Sequence, residues 1–115
     1  MKSEESIQNQ LVMWFNNEYC LNHHNPKCLI FSVPNEGKDI KEQMRKKALG
    51  LKKGVSDLIL VFPNLLVFVE VKDETGKQRP EQIQFETDVQ NLGFHYWLIR
   101  TLDEFKMKVN NIKQC

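Results

Sequence analysis

The chain has 115 residues, 41% of them hydrophobic and 27% charged, and a formal net charge of +1. That composition fits one compact soluble domain with a core of its own, over residues 1–115, and excludes a polycation; no run approaches ~18 apolar residues, which excludes a membrane-spanning helix. Three cysteines, Cys20, Cys28 and Cys115, argue against a disulfide framework. With a polar, acidic start unlike a signal peptide, they make the cytoplasm the expected compartment.

Residues 4–19 predict a helix. Ile7, Leu11, Trp14 and Phe15 recur at helical spacing, Ser3 can cap the first turn, and Glu4 and Glu5 suit the positive end of the helix dipole. A turn-rich connection follows. It holds Cys20, His23, His24 and Cys28, all zinc-ligand types, but their spacing matches no standard pair of knuckles, so a loop with one or two buried cysteines is the preferred reading. Residues 28–33 predict a strand ended by Pro34, and Gly37 lies in a polar loop after it.

Residues 40–52 predict a basic helix. Between 38 and 53 the chain carries seven Lys or Arg against two acidic residues. Such a segment is either a solvated lysine-rich helix or the docking face for an anionic partner. Two central strands, 56–62 and 65–72, are apolar almost throughout, which predicts cover on both faces of the sheet. Residues 80–92 predict a helix entered through Pro80 and stopped by Gly93. A strand over 94–99 and a last helix capped by Thr101 complete an α/β or α+β order, a sheet flanked by helices. Trp14, Phe15, Tyr96 and Trp97 fall on apolar faces and read as core.

The central strands contain charges where a core is expected. Pro63 and Asn64 mark the turn between them. A hairpin symmetric about that pair sets residues summing to 127 opposite each other, which places Asp57 across from Glu70. Because Pro63 cannot take the positive φ of a type I′ turn, the loop is expected to be four residues, 62–65, about the same centre. Directly opposed Cβ atoms lie about 4.5–5.5 Å apart, and Lys72, two residues beyond Glu70, shares its face. Opposed carboxylates repel. The repulsion is offset either by Lys72 bridging the acids or by a divalent cation, since Mg²⁺ takes one or two carboxylates with water and phosphate oxygens.

The pattern Gly54-Val55-Ser56-Asp57, twelve residues, then Glu70-Val71-Lys72 resembles the PD-(D/E)xK nuclease superfamily, and more narrowly the VRR-NUC (virus-type replication-repair nuclease) family. The narrower resemblance also rests on an acidic residue ahead of Ile7-Gln8, on Pro34-Asn35-Glu36-Gly37, on Gly50 to Val55, and on Arg79-Pro80-Glu81-Gln82. Ser56 stands where the superfamily's name has a proline.

The resemblance implies a restriction-endonuclease-like core with a mixed central sheet, and a phosphodiesterase acting on DNA with Mg²⁺ or Mn²⁺. It implies Asp57, Glu70 and the Val71 carbonyl as metal ligands. Lys72 would orient or activate water and stabilise phosphate charge, with Gln82 supporting the site and Glu4 completing it, Glu5 being the alternative. Lys38, Lys41, Arg45, Lys46, Lys47, Lys52 and Lys53 then become candidates for phosphate contacts, which set affinity rather than sequence choice. A chain with no separate recognition domain is expected to read DNA shape. Similarity to stand-alone family members implies a homodimer acting on branched or junction DNA, in a bacterial or phage-infected cell. The alternatives are a non-catalytic nucleic-acid-binding module and a nuclease subunit of a larger helicase or restriction assembly.

Overall fold

The computed structural model describes residues 2–34 and 39–112. Eight elements follow in chain order: α1 (Glu4–Tyr19), β1 (Leu29–Ser32), α2 (Ile40–Ala48), β2 (Leu58–Phe62), β3 (Leu65–Val71), α3 (Pro80–Asn91), β4 (His95–Ile99) and α4 (Leu102–Ile112). The strands form one mixed sheet in chain order. β1, β2 and β3 run antiparallel, and β4 lies parallel to β3 after α3 has crossed over one face.

The core sits on the other face. Ile7, Leu11 and Phe15 of α1 and Phe105 and Val109 of α4 pack on Leu58, Leu60, Val67, Val69 and Val71. These positions follow period 2 in the strands and the 3–4 residue spacing in the helices, so one face of each element supplies them. α3 covers its face with Phe85 and Val89 against Phe68, Tyr96 and Val55. That cover is narrower than the apolar runs predicted. Leu58, Leu60 and Phe62 are buried while Ile59 and Val61 between them are only half-buried. α3 packs beside β4, and the β1–β2 half of its face is left thinly covered.

The observed hairpin pairs Leu58 with Val69 and Phe62 with Leu65, so partners sum to 127 as expected. The connection is shorter than the expected four residues. Pro63 and Asn64 alone form it, with Asn64 at φ 59. A ring-fixed negative φ followed by a positive one is the sign pattern of a type II turn, which Pro-Asn supports without any type I′ geometry.

α2 is also shorter than the expected 40–52. It ends in a Schellman motif, with Leu51 N–H bonded to the Lys46 carbonyl and Gly50 N–H to that of Lys47. Among the described residues it packs against no other helix or strand. No helix among them is long and apolar enough to cross a membrane.

Candidate active site

Asp57 stands one residue before β2, one rung beyond the observed ladder. Its backbone carbonyl accepts from Val33 N–H at 3.0 Å, so its main chain serves β1. The β2–β3 ladder ends at Leu58–Val69, so the expected Asp57–Glu70 pair lies just outside it. The Asp57 carboxylate is free to turn along β3, where Oδ2 accepts the Val71 N–H at 2.7 Å. Ser56, in place of the superfamily's proline, is fully buried and its Oγ donates to the Leu58 carbonyl at 3.3 Å, stiffening this entry to β2.

Glu70 is 1% exposed and lies on the α3 face. Each of its oxygens has a donor: Gln82 Nε2 to Oε2 at 2.9 Å and the Tyr96 hydroxyl to Oε1 at 3.2 Å. The Gln82 amide is held at its other end too, since Oε1 accepts from Arg79 N–H at 2.8 Å in the first turn of α3. Burial, and then the neighbouring Asp57 charge, push the Glu70 carboxyl from 4.5 up to about 7, against the pull of Lys72 and the Tyr96 hydroxyl. Burial, and then Glu70, push the Tyr96 phenol above its ordinary value, so it stays a donor.

Lys72 follows β3 and is 7% exposed. Its Nζ stands 3.7 Å from Glu70 Oε2, an ion pair rather than a hydrogen bond. The chain then turns tightly over 73–76, where Asp73 Oδ1 accepts from Thr75 N–H and Gly76 N–H at 3.1 and 2.7 Å. Arg100, just past β4, clamps the turn by donating to the Asp73 and Gly76 carbonyls at 2.6 and 2.7 Å.

The turn brings Gly76 close to α1. A Cβ there would stand 3.2 Å from Glu4 Oε2, 3.3 Å from Lys72 Cδ and 3.1 Å from Asp73 Oδ1. The Glu4 carboxylate thus borders the Lys72 side chain across a glycine. Glu5 instead lines a groove with Gln8, Asn9, Val12, Phe31 and Ser32.

A second glycine couples the loops. Gly54, at φ 83, abuts the Glu81 carbonyl, where a Cβ would collide. This seats the segment leading to Asp57 on the start of the helix that carries Gln82. Lys52 and Lys53, both exposed, immediately precede that contact. Lys41, Arg45 and Lys47 are exposed on α2, while Lys46 pairs with Glu42 at 2.9 Å. Lys38, with residues 35–37 of the preceding loop, lies outside the described residues.

These donors suit a hard cation. Asp57, Glu70 and the Val71 carbonyl are all oxygen ligands. Val71 directs its N–H to the Asp57 side, and a strand residue's carbonyl points the same way as its N–H, so that carbonyl also faces Asp57. Among the described residues no three His, Cys, Asp or Glu side chains converge. A site of two carboxylates and a carbonyl is what Mg²⁺ accepts, because it keeps several waters. In the Cys20–Cys28 connection, His24 Nδ1 accepts from Leu21 N–H and Cys28 lies in the core.

Sequence reasoning missed Tyr96, Gln78 and Arg100 as site residues. The sequence reads Tyr96 as core and its ring is there, but its hydroxyl donates to Glu70. A hint was available for the turn alone: Asp73 three residues before Gly76 is an Asx-turn signal.

An antiparallel hairpin with acids at its open end, a crossover helix and a parallel fourth strand, flanked by helices, define a PD-(D/E)xK-type nuclease fold. The VRR-NUC domain family model matches residues 2–101, and the chain belongs to that family. A solved structure described as a VRR_NUC domain protein superposes with a TM-score of 0.74 at 16% identity, covering 96% of this chain and 88% of the other. No curated protein matches the chain. The family is of nuclease type.

Proposed function

We propose that the protein is a Mg²⁺- or Mn²⁺-dependent endonuclease that hydrolyses DNA phosphodiester bonds, with a preference for branched DNA. The observation that carries this reading is the buried Glu70 carboxylate beside Asp57, with Lys72 on the same face. A carboxylate buried beside a second acid is a poor structural element, but a good holder of a cation. Asp57, Glu70 and the Val71 carbonyl would hold it, and it would supply Lewis-acid stabilisation of charge on the phosphoryl oxygens.

Gln82 orients Glu70 from α3. The Lys72 ammonium, buried and poised beside Glu70, stabilises negative charge developing on the phosphate in a site of low effective dielectric. The Glu4 carboxylate stands near Gly76, as does the Lys72 stem, which puts both in the same corner of the site. The basic residues of α2 and the following connection engage the phosphate backbone without reading sequence. Leu29 and Phe31 on edge strand β1 and Ile40 and Met44 on α2 are exposed apolar surface available to a second copy, which fits a homodimer presenting two sites to one junction. The reading places the protein in the cytoplasm.

The test incubates purified protein with labelled linear, flap, nicked and four-way-junction DNA in Mg²⁺, Mn²⁺ or EDTA. Cleavage is expected only with metal and highest on the junction. Asp57→Asn, which keeps an acceptor for Val71 N–H, and Lys72→Ala each lower it by about 10²–10³-fold, the scale of losing one group that stabilises transition-state charge. Equal cutting by wild type and Asp57→Asn would overturn the nuclease site. Equal cutting of linear and four-way DNA would remove the junction preference alone.

A further inference from the structure

We infer that Tyr96 is a positioning residue of the site, and that Gln78, held by Glu86, sets the direction in which it works. The inference deepens the metal-dependent reading above and rests on it.

The end of a glutamate side chain is a broad rotor, since its last torsion has no sharp wells. A carboxylate that must present given lone pairs to a cation therefore needs its rotation fixed from outside. At Glu70 two donors do this from two different elements: Gln82 on α3 holds Oε2, and Tyr96 on β4 holds Oε1. Each takes one of the carboxylate's four acceptor sites, leaving sites on both oxygens for other partners.

A phenol hydroxyl can donate or accept, so its direction has to be decided by something else. Gln78 decides it. Its Nε2 contacts Glu86 Oε1 at 3.2 Å and the Tyr96 oxygen at 3.3 Å. A carboxylate at the first contact makes that atom the NH₂ end of the amide, and its two hydrogens are then both spent. The Tyr96 oxygen accepts one of them, and its own single hydrogen is left for Glu70. Glu86 lies one helical turn beyond Gln82, so α3 reaches Glu70 twice: directly through Gln82, and through Glu86, Gln78 and Tyr96 in series. The ring itself is anchored against Phe85 at 6.3 Å, so removing the hydroxyl leaves the packing in place.

The experiment measures Mn²⁺ binding by titration calorimetry, without DNA, for wild type, Asp57→Asn, Tyr96→Phe, Gln78→Leu and the Tyr96→Phe/Gln78→Leu double variant. Tyr96→Phe is expected to weaken Mn²⁺ by about tenfold, the lower end of what loss of a ligand's supporting partner costs. Gln78→Leu weakens it by a smaller factor. The double variant binds no worse than Tyr96→Phe, because Gln78 acts only through the hydroxyl. In cleavage, Tyr96→Phe lowers kcat at limiting Mn²⁺ while the KM for DNA holds, since Tyr96 touches no DNA. Wild-type Mn²⁺ affinity in Tyr96→Phe, with binding still lost in Asp57→Asn, overturns this inference and leaves the nuclease reading intact. Full additivity in the double variant overturns the role of Gln78. No Mn²⁺ binding by wild type overturns both readings together.

Discussion

β3 carries two chemistries on one strand. Val67, Val69 and Val71 point into the α1–α4 core and are fully buried. Phe68, Glu70 and Lys72 alternate with them, point toward α3, and change from apolar to charged toward the end of the strand. Burial is nearly the same on both faces at that end, since Glu70 is 1% exposed and Lys72 7%. The energetics are opposite. On the valine face each buried side chain is favourable, at about 25 cal/mol per Å² removed from water. On the α3 face each buried charge costs desolvation and is tolerable only with partners in fixed places. Gln82, Tyr96 and the Lys72 ammonium are those partners, and all buried side-chain polar atoms among the described residues are satisfied. The valine face should therefore set stability, and the α3 face should set chemistry.

The largest effect expected from that division is on stability. Leu60, fully buried opposite Val67, belongs wholly to the apolar face. Leu60→Ala should cost about 2–5 kcal/mol in urea unfolding, from lost burial and the residual cavity. Mn²⁺ affinity under native conditions should stay at the wild-type value. A folded Leu60→Ala protein with no Mn²⁺ affinity would break the division between the faces.

The two faces were also unequally legible beforehand. The valine face follows period 2 and the helices follow their own spacing, so α1 could be bounded at Glu4 and Tyr19 from Ser3 and the apolar stripe alone. The hairpin register came from its centre at Pro63–Asn64, and survived a wrong loop length because a two-residue and a four-residue loop share that centre. Asp57, Glu70 and Lys72 are legible as charges in an apolar hairpin whose register and period 2 bring them together, and Gln82 through the family resemblance. Tyr96, Gln78 and Arg100 are not. They meet the site only after α3 has crossed over and β4 has paired with β3, and no local spacing encodes which side of Tyr96 will face a carboxylate 26 residues earlier. The expectation of cover on both sheet faces holds only in part, for a similar reason. Apolar runs report that a strand can be buried, whereas one helix of twelve residues decides how much of that face is.

A smaller effect sharpens the contrast from outside the core. Lys41, Arg45 and Lys47 lie on α2, which buries nothing. Replacing all three with Ala should leave Tm unchanged and weaken DNA binding. If each contacts one phosphate, the dependence of log K on log salt should flatten by about 0.9 per contact, nearly three in all. A salt slope identical to wild type would take α2 out of the DNA interface and leave its apolar residues as its remaining use.

The smallest expected effect tests the cost of the charged face directly. In metal-free protein, Glu70 holds its proton up to about pH 7 when folded, against 4.5 ordinarily. Between those values the folded state binds a proton that the unfolded state has released. Stability therefore falls as pH rises from about 4.5 to about 7, and levels off above, where both states are ionised. Asp57 is the second cause of that shift after burial. Asp57→Asn removes the charge and keeps an acceptor for Val71 N–H, so the upper end of the window should move down. At pH 8 in EDTA its Tm should exceed that of wild type by a few °C. Added Mn²⁺ should reverse the order, raising the Tm of wild type by ligand linkage while leaving Asp57→Asn where it was. Equal Tm values in EDTA across this pH range would mean that the acid pair imposes no strain, and the physical case for a cation between Asp57 and Glu70 would lose its basis.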